Sequence, residues 1–221
     1  MKVFILGATG PTGQWVVKEA LTRCHEVVAF VRNPEKLSIK DNKFKGVKGD
    51  VTDPSHLSRE MKGCDAVVSA LGNPSGTFIP SSIYATSGEA IVRSMKEVGL
   101  KRLVVCSAWG TQDDKHLPFV WRWIWTPTFL RHIMPDMRKL EDILEREKNN
   151  ITFTSVRPGI LTDDPSTGLP LLTEERQVVI DRPTDKISRH DVAKFMLDCL
   201  DTKKYDNKMI AICSSKDPSV K

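Results

Sequence analysis

The amino-acid sequence predicts an α/β protein built as a single-domain, doubly wound parallel sheet, on three observations. Strand-like and helix-like segments alternate from the first residues almost to the last, the pattern of a parallel sheet with helices on both faces. The chain has 221 residues, 40% hydrophobic and 28% charged, which suits one sizeable globular domain and leaves no room for a second large one. An apolar run from Val3 to Leu6 closes on Gly7 and enters GATGPTGQ and an amphipathic stretch, which reads as strand, glycine turn and helix.

The elements follow from local pattern. Short apolar runs rich in Val and Ile predict strands near 2–6, 26–31, 45–49, 65–70, 101–107 and 151–157, with a last one over 208–213. Helical spacing predicts helices near 12–23, 54–62, 80–98, 136–148 and 189–201. Pro54 after Asp53, and Ser188 before His190-Asp191, are helix-start signals. After Arg157 the chain turns to RPGILTDDPSTGLP, a loop-rich composition. The reading is thus one domain over 1–221, with loop-rich segments near 109–135 and 158–188 that cover the substrate.

Composition narrows the function classes. No run of about 18 uncharged apolar residues spans a bilayer, and the Met-Lys start lacks a secretory apolar region, so a cytoplasmic location is expected. Cys24, Cys64, Cys106, Cys199 and Cys213 are scattered without C-x-x-C spacing, which reads as reduced thiols and offers no metal site. The net charge of +5 is concentrated between Arg32 and Lys48. An anionic cofactor explains that patch more economically than nucleic acid. The sequence favours a monomer without fixing the oligomeric state.

A strand that ends in a glycine turn feeding a helix presents unpaired N–H groups and a positive dipole end to an anion, most often a dinucleotide pyrophosphate. Gly7 makes the tight turn, Gly10 admits the phosphates, and Gly13 lets the helix pack closely. Thr9 and Thr12, with Pro11 between the glycines, complete the phosphate loop. Ligands of open parallel sheets bind beyond the carboxyl ends of the strands, so the residues after each strand are the next candidates. Arg32 follows the second strand, where a basic residue favours the extra phosphate of NADP(H) over NAD. Asp50 and Val51 follow the third and Ala70, Leu71 and Gly72 the fourth. Ser107 and Ala108 follow the fifth, and Pro158, Gly159 and Ile160 the sixth; these two turns are expected to flank the nicotinamide.

GATGPTG, VVAFVRNPEKL, GDVTD, DAVVSALG, GLKRLVVCSAWG, SVRPGILTD and ISRHDVAKFML together resemble the atypical short-chain dehydrogenase/reductase group, and within it the flavin reductase (NADPH) or biliverdin reductase B family. The likeness is weakest over Thr111 to Pro135. It implies an NADPH-dependent reductase of flavins, with linear tetrapyrroles as a further class, and places Ser107 near nicotinamide and substrate. One departure is Pro158-Gly159-Ile160, where that family carries a histidine.

Ordinary short-chain dehydrogenases use a tyrosine and a lysine four residues on. Tyr84 is followed at that spacing by Gly88 and Tyr205 by Met209, so the relay is absent. This disfavours carbonyl reduction and favours a planar conjugated acceptor that delocalises the incoming charge. Ser107 is the candidate orienting or proton-relaying hydroxyl, and His132 a candidate acid. Trp109, Trp121, Trp123 and Trp125 are candidates for an aromatic wall against a flat substrate. Rings 121, 123 and 125 share one side if the segment is extended and spread apart if it is helical. Two rivals stand beside flavin reduction: a quinone or enone reductase with the same cofactor, and a non-catalytic NADP(H) sensor.

Overall fold

The computed structural model describes residues 1–73 and 82–216. Strands β1 (Lys2–Leu6), β2 (Glu26–Val31), β3 (Phe44–Lys48), β4 (Ala66–Ser69), β5 (Arg102–Cys106) and β6 (Thr152–Pro158) run parallel, with β10 (Lys208–Ser214) parallel to β6. The sheet order is β3-β2-β1-β4-β5-β6-β10-β8, in which β8 (Leu171–Glu174) closes the edge antiparallel to β10. A separate pair joins β7 (Ile160–Thr162) to β9 (Lys186–Ser188). The order reverses direction at β1, and α1 (Pro11–Thr22) starts at that switch point.

Strand alternation builds two cores. Val3, Ile5, Val27, Ala29 and Val104 face α1 and α5 (Arg189–Asp201), whereas Phe4, Leu6, Phe30, Leu103 and Val105 face α2 (Pro54–Met61), α3 (Ile83–Val98) and α4 (Ile133–Glu147). Both faces of the central strands are therefore covered, which is why their sequences read as continuous apolar runs.

The helix starts follow capping chemistry. Asp53 accepts the N–H groups of Ser55 and His56 at 3.0 and 3.2 Å. Ser188 accepts the N–H of Asp191 at 3.0 Å, and its hydroxyl donates to the Asp191 carboxylate at 2.9 Å. Helix α3 is capped from a distance, with Asp136 of α4 accepting from Tyr84 N at 2.9 Å and Ala85 N at 3.2 Å. The predicted start of α3 at residues 80–81 lies outside the described residues.

The segment expected to be loop over 158–188 contains β7, β8 and β9, each three or four residues long and too short to carry a period. Helix α4 begins at Ile133, three residues before the expected start, because Pro135 sits in its first turn, where no backbone bond is lost. Trp121–Trp125 forms a π-helical turn, with Thr126 N donating to Trp121 O at 2.9 Å.

Candidate functional site

The turns after β1, β2, β3 and β4, at the carboxyl edge of the sheet, line a cleft of about 510 Å³. In the β1–α1 turn, Gly7 sits at φ +76°, and a Cβ there would lie 2.4 Å from Ala70 O. A Cβ on Gly13 would lie 2.0 Å from Gly7 O. Both glycines are thus demanded by backbone packing, and they bring the start of α1 against the ends of β1 and β4. Helix α1 has no side-chain cap and no acidic residue in its first turn, and Pro11 is its first residue. The N–H groups of Thr12 and Gly13 remain at the positive end of the helix, a setting made for a phosphate. Gln14 Nε2 donates to Thr9 O at 3.1 Å and closes the loop over them.

Across the cleft, Arg32 is exposed at the end of β2 and makes no ion pair among the described residues. The Asp50 carboxylate accepts from Thr52 N at 2.9 Å and Thr52 Oγ1 at 2.7 Å. Those bonds, with the Arg32 charge nearby, hold its carboxyl below the usual range. Gly7, Thr9, Gly10, Pro11, Arg32, Asp50, Val51, Ala70, Leu71 and Gly72 all line this cleft. Thr12 and Gly13 are buried behind it. Phe30, Thr52, Asn73 and Ile83 also line it, and the sequence reading did not select them. Phe30 was legible as an inward strand residue, and the others carry no motif.

Ser107 is 4% exposed and its hydroxyl faces the interior. Its Oγ lies 2.9 Å from both Glu141 Oε1 and Ser155 Oγ. Glu141, fully buried, also accepts Arg157 Nε at 2.8 Å, Arg157 Nη2 at 2.7 Å, Ser155 Oγ at 3.1 Å and Thr111 Oγ1 at 2.6 Å. One carboxylate on α4 therefore ties down the ends of β5 and β6. The ladder continues beyond the end of β5, with Ser107 N donating to Val156 O at 2.8 Å and Trp109 N to Pro158 O at 3.1 Å. Ala108 beyond β5, Pro158 at the end of β6, and Gly159 and Ile160 after it do not line the cleft. Sequence patterning missed Glu141 because a lone glutamate inside a helix carries no signal of its partner.

Three of the four tryptophans pack together and the fourth does not. Trp109 is fully buried and Trp121 is 5% exposed, with centroids 6.0 Å apart, while Arg182 lies over Trp109 at 5.0 Å. Trp125 is half-buried against Trp121 at 5.3 Å, and Trp123 is 62% exposed. Trp109, Trp121 and Trp125 thus pack in one cluster, and the helical geometry turns Trp123 away from it into solvent. His132 is half-buried before α4, and its Nε2 accepts Arg131 Nε at 2.8 Å. It does not line the cleft. Tyr84 is 5% exposed, and burial pushes its phenol up to about 12. Among the described residues no helix is long and apolar enough to cross a membrane, and no group of three metal-ligating side chains occurs.

The switch-point cleft, its glycine cradle and its free helix N-terminus define a dinucleotide-binding Rossmann protein. The chain belongs to the NAD(P)H-binding family, whose model matches residues 7–203. It is 27% identical over 99% of its length to 96% of "Uncharacterized sugar epimerase YhfK" of Bacillus subtilis. It is 28% identical over 96% of its length to 84% of "Oxidoreductase ptaF" of Pestalotiopsis fici. Among solved structures it superimposes with a TM-score of 0.76 and 22% identity on SP1627, "a putative NADH-flavin reductase" of Streptococcus pneumoniae, covering 97% of this chain and 99% of that one. The expected resemblance is borne out at the level of the NAD(P)H-binding family.

Proposed function

We propose that the protein is an NADPH-dependent reductase that passes hydride to a planar conjugated acceptor of the flavin class. The observation that carries this reading is the cleft itself, which runs from a helix start without a side-chain cap to an arginine that makes no ion pair, both among the described residues. NADPH fits the residues present. The α1 N–H groups of Thr12 and Gly13 would hold the pyrophosphate, and Arg32 would hold the extra phosphate as a charge-assisted fork. When bound, the nicotinamide supplies the hydride. The chain's own part is to place the acceptor and exclude water.

Tyr84 has no lysine four residues on, since position 88 is glycine. An acceptor that delocalises its own negative charge needs no such relay. Ser107 acts as a positioning residue: through Glu141 it fixes where the turns after β5 and β6 stand. Ser107→Ala should lower stability without moving the pH profile of turnover, and Ser107→Thr should restore the stability. A pH profile that shifts in Ser107→Ala would assign the hydroxyl a proton-transfer role instead.

The name carried by the Streptococcus pneumoniae neighbour supports the flavin class. NADPH oxidation followed at 340 nm with FMN, repeated with NADH and a simple quinone, tests the reading. Turnover with FMN and a preference for NADPH supports it. Turnover with the quinone alone favours the quinone or enone reductase. The interior orientation of the Ser107 hydroxyl suits a non-catalytic NADP(H) sensor equally well, and tight NADPH binding with silence on every acceptor would favour that reading.

A further inference from the structure

Beyond β5 the chain runs through Gly110 to Asp113, then packs back as the π-helical turn and α4, and these pieces leave a hollow of about 350 Å³. Three arginines, Arg122, Arg131 and Arg138, line it. Asp113 is the single carboxylate among its lining residues, paired with Arg122 at 2.5 Å. Arg138 holds Asp142, one turn on, at 2.8 Å. Arg131 is exposed, leans on His132 and has no carboxylate partner among the described residues. The hollow therefore carries an excess of positive charge presented on forked groups.

A second observation lies in the same wall. Thr126 lines the hollow with its other atoms, and its hydroxyl oxygen lies buried beneath the wall without a hydrogen-bond partner among the described residues. Such an orphan is uncommon in native structures. The wide turn that begins at Trp121 creates it: Thr126 N donates to Trp121 O, five residues back, while Trp123 is left 62% exposed.

The hollow also adjoins the ligand end of the sheet. Thr111, another lining residue, donates to Oε2 of the Glu141 carboxylate whose Oε1 takes the Ser107 hydroxyl. One carboxylate thus separates the wall of the hollow from the end of β5, the edge at which parallel sheets bind their ligands.

Guanidinium forks match the planar, bidentate geometry of phosphate and carboxylate oxygens. We propose that this hollow binds an anionic group, a phosphate or carboxylate, on an arm of the acceptor; the inference rests on the reductase reading for the identity of that acceptor. The anion is held by Arg131 and Arg138, while Asp113 tempers Arg122.

Flavin fluorescence titrations with saturating NADP⁺ present read binding without turnover. The wild type should bind FMN at least tenfold more tightly than riboflavin, which lacks the phosphate. The double variant Arg131→Gln/Arg138→Gln should bring that ratio close to one, with riboflavin and NADPH affinities unchanged as the check on folding. Asp113→Asn, which frees Arg122, should raise the ratio. Equal binding of the two flavins by the wild type, or an unchanged ratio in the double variant, would overturn the proposal.

If neither flavin binds, the reductase reading loses its acceptor class and the hollow is read directly with inorganic phosphate. With NADP⁺ held saturating, phosphate should then change tryptophan fluorescence saturably in the wild type and not in the double variant. No saturable change, or the same change in both, would sink the anion site independently of the acceptor. Phosphate saturation with no flavin binding would leave the site standing as a receptor for a free anion or another acidic acceptor.

Discussion

Replacing Glu141 with glutamine should be among the most damaging conservative substitutions in this chain. The side chain is fully buried, and its two oxygens receive both arms of Arg157, whose side chain is 4% exposed, as well as three hydroxyls. Glutamine removes the negative charge and one of the two acceptors, leaving an interior guanidinium with a neutral amide oxygen beside Arg176 O at 3.1 Å and Met209 Sδ at 3.0 Å. Removing one partner of a buried ion pair costs roughly 3–5 kcal/mol. For a chain of this size that corresponds to a fall in Tm on the order of 10 °C. Urea denaturation of the wild type and Glu141→Gln at pH 7 measures it through the midpoint at constant slope. The double variant Glu141→Leu/Arg157→Met removes both charges and should be more stable than Glu141→Gln, because apolar replacement of a whole pair is far less costly than orphaning one half. A loss below about 1 kcal/mol in the single variant would refute the reasoning, since breaking a buried pair costs more than that. So would a double variant less stable than Glu141→Gln.

Other consequences follow from burial and capping. Burial pushes the thiols of Cys106 and Cys199 up to about 12 and that of Cys213 to about 11, and the Tyr84 phenol also to about 12. Unfolded thiols titrate near ~8.5 and tyrosine near ~10, so the folded state keeps its full stability below about pH 8.5 and loses it as pH rises towards the folded values. Urea midpoints should therefore fall between pH 9 and 11 on that account, and Cys199→Ala/Cys213→Ala should flatten the decline; a midpoint constant to pH 10.5 would contradict it. Asp136→Ala should cost about 1–2 kcal/mol by uncapping α3, seen in the same denaturation assay. Trp109→Ala should cost about 3–5 kcal/mol, whereas Trp123→Ala, at an exposed position, should stay within about 0.5 kcal/mol.

The parallel sheet and the switch-point cleft were legible because their signals are local and periodic. The run VFILG, the three glycines and the short apolar strands each report a backbone state within a few residues, and all seven predicted strands stand within a residue or so of their expected positions. Arg32 and Asp50 were found by the rule that ligands gather at strand ends. Ser107 was found by the same rule, yet its hydroxyl direction depends on Glu141, 34 residues away. The tryptophans were read as a unit because they are close in sequence, but the π-helical turn points successive rings to different environments. Strands β7 to β9 escaped notice because three or four residues pair only through tertiary contact. The cap on α3 escaped for a similar reason, since Asp136 lies on another helix.

The central claim is that the cleft beneath Gly7 and Arg32 holds NADPH. Its most direct test is a fluorescence titration of purified protein with NADPH and NADH, in the wild type and in Arg32→Ala. The account predicts saturable 1:1 binding, a preference for NADPH of about tenfold or more, and loss of that preference in the variant, the scale of one charge-assisted phosphate contact. Absence of saturable binding, or an NADPH affinity unchanged by Arg32→Ala, would contradict it.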